Sequence, residues 1–96
     1  MARKNKSILK DDVLDQCYLC GCYAPVIDEH HIFGGSSRKA SDKRGLVVHL
    51  CRECHRDLHD HEGAAMKYLH KKGQMAYEEK IGSRQEFIKE FIRSYL

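Results

Sequence analysis

The stretch that decides the fold is HHIFGGSSRKASDKRGLVVHLCRECHRDLH, residues 30–59. Its first part completes a β-favouring segment, Val26–Phe33. Residues 34–45, GGSSRKASDKRG, are rich in Gly, Ser and basic groups without apolar periodicity, and predict a loop. Residues 46–50, LVVHL, predict a second strand, so the stretch reads as a hairpin with a long loop. From Arg52 the pattern turns helical, with His55, Leu58 and His59 at i, i+3, i+4. On a helix that spacing puts His55 and His59 on one face, ready to share a metal. A histidine at the end of the first strand, from the His30–His31 pair, would complete the site. Three imidazoles leave open positions for water and a phosphate oxygen. The remaining histidine of the pair could then deprotonate a water. Adjacent strand residues face opposite sides, so the pair can serve one site only where the strand ends or bulges. Gly34 and Gly35, just beyond, suit such an ending. His49, His61 and His70 read as dispersed polar groups, with His61 also a substitute ligand.

Around this stretch stand two Cys-x-x-Cys units, Cys17-Tyr-Leu-Cys20 and Cys51-Arg-Glu-Cys54. Two residues between thiolates let both sulfurs reach one Zn²⁺ at about 2.3 Å. Two such knuckles flanking a hairpin predict a closed four-cysteine site, and four thiolates make that zinc structural. A redox Cys-x-x-Cys would need a thioredoxin-like βαβ context, which the pattern does not offer. Cys22 is left over as a small thiol or as an alternative to Cys20.

The flanks are simpler. Residues 1–12 form a basic arm carrying Arg3, Lys4, Lys6 and Lys10, read as mobile, and residues 13–96 form a single domain. Residues 64–80 predict a helix with Gly73 inside it. Ser83 and Glu86 make a capping box that opens a last helix. Its apolar stripe of Phe87, Ile88, Phe91, Ile92 and Tyr95 reads as core.

Composition bounds the function classes. With 96 residues there is room for one small core, so two-domain enzymes and large cofactor folds are excluded. At 42% hydrophobic the chain is too apolar to be disordered throughout. Apolar runs of three or four residues, such as Leu46–Val48, are too short to span a membrane. The basic N-terminus lacks an apolar segment, so no signal peptide is expected and the expected location is cytoplasmic. Five Cys and seven His in a chain expected in a reducing compartment point to metal rather than disulfides. The net charge of +3 is compatible with nucleic acid but too modest to decide anything alone.

Taken together, His-His-Ile, a basic loop and Leu-Cys-x-x-Cys-His resemble the HNH (His-Me finger, ββα-metal) endonuclease motif. The knuckles match the subgroup in which a structural zinc braces it. His31 precedes His55 by 24 residues and His59 follows His55 by four, which is the family spacing. HHIFGGSSRKASDKRGLVV, GQMAYEE and SRQEFIKEFIRSYL are similar to phage-type members related to the RecA-dependent recombination-enhancement nuclease. The resemblance implies an α+β fold: a zinc-braced ββα-metal core with a β-hairpin, a metal-binding helix and C-terminal helices. It implies His31 as general base, and His30, His55 and His59 as ligands of a catalytic Mg²⁺ or another divalent ion. Its substrate would be a DNA phosphodiester, nicked to a 5′-phosphate and a 3′-hydroxyl. Arg38, Lys39, Lys43 and Arg44 would contact DNA phosphates. The family setting is a phage or prophage protein in a bacterial host cytoplasm, linked to DNA recombination or processing, with a recombinase filament as a further partner. Asp28 and Glu29 would orient a histidine. One position departs: Leu46 stands where the family usually has the Asn that orients the general base. That departure favours an alternative, a zinc-stabilised nucleic-acid-binding module with a decayed HNH site. A third reading takes both clusters as folding staples.

Overall fold

A computed structural model describes residues 4–60 and 63–96. Arg3 of the basic arm and His61 lie outside them. The described residues form an α+β unit: a two-stranded antiparallel sheet and four α-helices. β1, Ile27–His31, pairs with β2, Val47–Cys51, in a register that sets His30 opposite Val48 and His31 opposite Val47. β1 is shorter than Val26–Phe33. Ile32 and Phe33 leave the ladder and are buried in the core, with Ile32 N–H still donating to the Leu46 carbonyl.

The connection between the strands differs from the loop that its composition predicts. A 3₁₀ turn at Gly35–Ser37 runs into α1, Arg38–Lys43. This helix is fastened by a polar residue. Buried Ser41 donates to the Leu46 carbonyl at 2.6 Å and accepts from Phe33 N–H at 3.2 Å. Gly45 then turns the chain into β2 with φ +70°. All five β2 residues are buried.

α2, Arg52–Asp60, starts where β2 ends, without a loop. α3, Ala64–Lys80, has the bounds its pattern predicts. Gly73 lies buried within it, and an added Cβ would sit 3.0 Å from both Ile32 Cγ2 and the Phe33 ring. α4, Arg84–Phe91, opens on the expected capping box: Ser83 accepts from Glu86 N–H while the Glu86 carboxylate accepts from Ser83 N–H. Its inner face is Phe87 and Phe91, both buried. Ile88, within the helix, is exposed instead, and so is Ile92, which lies past the helix end at Phe91 and takes φ +79°.

The core joins β2 to Ile32, Phe33, Leu58, Leu69, Tyr77, Phe87 and Phe91. Phe33 is its aromatic hub, with ring centroids 5.4 Å from Phe87, 4.8 Å from Phe91 and 5.2 Å from Tyr95. Each fully buried large apolar side chain contributes roughly 1.5–3 kcal/mol.

The segment read as a mobile arm is tied down from Asn5 onward. Ser7 Oγ donates to the Val47 carbonyl at 2.6 Å, Ile8 N–H donates to the Gly45 carbonyl at 2.9 Å, and Leu9 is buried. Buried Asp12 accepts from His49 N–H at 2.8 Å and meets His49 Nδ1 at 2.6 Å. His49 is therefore a structural anchor rather than a dispersed polar group. Among the described residues no helix is long and apolar enough to cross a membrane.

Candidate metal centres

The two Cys-x-x-Cys units meet. One sulfur from each of Cys17, Cys20, Cys51 and Cys54 lies within 4.8 Å of the others. The first unit turns on Gly21, at φ +78°, and hooks onto β2 through Tyr18 N–H donating to the His49 carbonyl at 2.7 Å. Both units fold back on their first sulfur: Cys20 N–H and Cys54 N–H each reach that Sγ at 3.5 Å. The donor set fits zinc. Burial raises the Cys54 thiol, so an uncompensated thiolate is costly there, and a bound cation would let it ionise. Cys22 is exposed, and its sulfur is not one of the four.

The histidines form a second group. β1 alternates: Asp28 and His30 turn toward α2, whereas Glu29 and His31 turn toward α1. A nitrogen from each of His30, His55 and His59 lies within 4.8 Å of the other two. His55 Nε2 and His59 Nε2 are 3.3 Å apart, and the His30 ring centroid is 5.2 Å from His55 and 5.8 Å from His59. Asp28 Oδ2 holds His55 Nδ1 at 3.1 Å, which fixes the ring and leaves Nε2 to face the cluster, as the sequence expectation for Asp28 has it. His30 Nε2 is buried and has no hydrogen-bond partner among the described residues. Burial, with the His55 and His59 rings alongside, pushes His30 down to about 4, so the ring is neutral near pH 7. A buried neutral imidazole with an unpartnered nitrogen beside two others is a donor set that a divalent cation fits.

His31 sits at the last position of β1 and meets Asp42 Oδ1 through Nε2 at 3.0 Å. Although His30 and His31 project to opposite sides, both line one cleft of about 560 Å³ with His55, His59 and Arg38. The strand end reconciles the two directions. Arg38 is thus the basic α1 residue at the cleft, while Lys39 and Lys43 are exposed on α1. Arg44 is engaged elsewhere: its Nε and Nη2 donate to the two Glu90 oxygens at 2.7 and 2.9 Å. The loop reading grouped these four as phosphate contacts. The helix separates them.

Several neighbours were not singled out by sequence. Arg52 and Arg56 border His55 and His59 in a shallower groove, and their i, i+4 spacing on α2 was a readable signal. His70 lines the main cleft and stacks on Phe33 at 5.3 Å, with burial lowering its pKa. Asp42 is the one acid of residues 34–45 and carries no local signal of its role. Leu46 is fully buried in the core.

Comparison with family models, with curated proteins and with solved structures finds no match for this chain.

Proposed function

We propose that this chain is a metal-dependent DNA endonuclease of the HNH type, of phage or prophage origin, acting in DNA recombination or processing. One observation carries the reading: three imidazoles gathered within 4.8 Å, beside a fourth histidine that shares their cleft. A staple needs neither the open cleft nor the adjacent histidine. In the proposed reaction His31 takes a proton from water and the resulting hydroxide attacks phosphorus in line. The bond to the 3′ oxygen breaks, and that oxygen takes a proton from solvent. The products are a 5′-phosphate and a 3′-hydroxyl. His30, His55 and His59 would hold a divalent cation, which would supply charge stabilisation to the transition state. Arg38 pairs with a phosphate oxygen at the cleft wall. The four cysteines would hold zinc, which would fix the start of α2.

The test is nicking of supercoiled plasmid with Mg²⁺ or Mn²⁺, beside EDTA and a His31→Ala variant. Wild type should nick, EDTA should abolish nicking, and His31→Ala should slow it by about 10²–10⁴-fold. Equal inertness of wild type and variant on single- and double-stranded DNA would overturn the proposal. The buried Leu46 favours a second reading, a nucleic-acid-binding module, and binding without cleavage would establish it.

A further inference from the structure

Beside the cleft, on the face of β1 turned away from His30, the structure gathers a second polar group. One ligand-type atom from each of Glu29, His31 and Asp42 lies within 4.8 Å of the others. A lysine ammonium already occupies this group. Lys6 Nζ donates to Asp42 Oδ1 and pairs with Glu29 Oε2 at 3.4 Å. The same Asp42 oxygen faces His31 Nε2. Lys6 is held in place by its neighbours, since Ser7 and Ile8 bond to Val47 and Gly45. Asp42 itself is set by α1, whose buried Ser41 locks the helix to the strand ends.

These contacts have a chemical consequence for His31. A carboxylate accepts hydrogen bonds and cannot donate them. The Lys6 ammonium, and next the His31 ring, hold the Asp42 carboxyl below its ordinary value, so it is ionised near neutral pH. A ring nitrogen facing that oxygen must carry the proton. In a neutral imidazole the other nitrogen then has the lone pair.

We infer that Asp42, braced by Lys6, is the positioning residue of His31, holding it as the Nε2–H tautomer with Nδ1 free to accept a proton. This rests on the proposed role of His31 as general base. Asp42 takes over an orienting duty that Leu46, buried in the core, cannot perform. It does so from α1, in a stretch whose composition reads as a loop.

The experiment has two arms, both on the zinc-loaded full chain. Long-range ¹H–¹⁵N NMR of the histidine rings at about pH 8.5, where free imidazole is neutral, reads the tautomer. His31→Ala identifies the resonance. Wild type should show His31 as Nε2–H. Asp42→Ala should convert it to a mixture, and Asp42→Asn, whose amide oxygen still accepts, should retain it. In plasmid nicking, Asp42→Ala should lower kcat about 10–100-fold with KM unchanged, and Asp42→Asn should recover most of the loss. A tautomer indifferent to Asp42→Ala, or a loss confined to KM, would overturn the inference. If the tautomer follows Asp42 but wild type never nicks DNA, the positioning contact stands and the endonuclease reading falls.

Discussion

His30 and His31 are chemically identical neighbours with opposite environments. His30 is buried against two other imidazoles, whereas His31 is braced by a carboxylate at the strand end. Their substitutions should therefore separate. His30→Ala should weaken divalent-ion binding measured by calorimetry, while His31→Ala should leave that binding intact and lower only turnover. Gly45 makes a different demand on the chain. Its φ is +70°, and an added Cβ would sit 2.4 Å from the Lys6 carbonyl oxygen. Gly45→Ala should destabilise the fold by more than about 1 kcal/mol in urea titration, and should free residues 5–8 to proteolysis. Contacts of this kind are hard to read in sequence. Asp12 and His49 are 37 positions apart, and Asp42 and His31 are 11 apart. No local period links either pair. The two candidate donor clusters were legible because their spacings, two residues between cysteines and i, i+4 on a helix, are those that coordination and helix geometry favour.

At the scale of the element, legibility followed the source of each element's stability. α3 and α4 carry their own signals, a capping box and apolar positions; α3 has the bounds the pattern gives and α4 opens where its capping box puts it, though it ends at Phe91, short of the stripe. α1 carries no apolar stripe and its one buried residue is the polar Ser41, so composition alone reads it as loop. Ser83→Ala should cost α4 about 1 kcal/mol in thermal or urea unfolding. Arg44, just past the end of α1, is bridged to α4 by a bidentate pair with Glu90, in which its guanidinium holds the Glu90 carboxyl below the ordinary 4.5. A depressed carboxyl contributes stability in full above its unfolded value, and that contribution is lost as pH falls through the folded value. Arg44→Met should therefore destabilise the protein at neutral pH and flatten the loss of stability below about pH 4.5. Urea midpoints measured across that range check both.

For the whole molecule, the cysteine cluster is a long-range tie. It joins the loop before β1 to the β2–α2 junction, positions separated by a third of the chain. Structural zinc sites in small domains contribute on the order of 10–16 kcal/mol, comparable with the entire stability of a domain this size. Zinc release by a chelator should accordingly coincide with loss of tertiary structure by near-ultraviolet circular dichroism. Cys51→Ser should reproduce that loss, whereas Cys22→Ser, at an exposed thiol outside the four-sulfur group, should remain folded and zinc-loaded.

The absence of any loop between β2 and α2 has one more consequence. Cys51, Cys54, His55 and His59 lie along nine consecutive positions, from the last residue of β2 through α2, so one short continuous segment serves both clusters. A cation at either cluster would restrain the same backbone. Their affinities then form a closed thermodynamic cycle: whatever factor zinc adds to the histidine site, a cation at the histidine site must return to zinc.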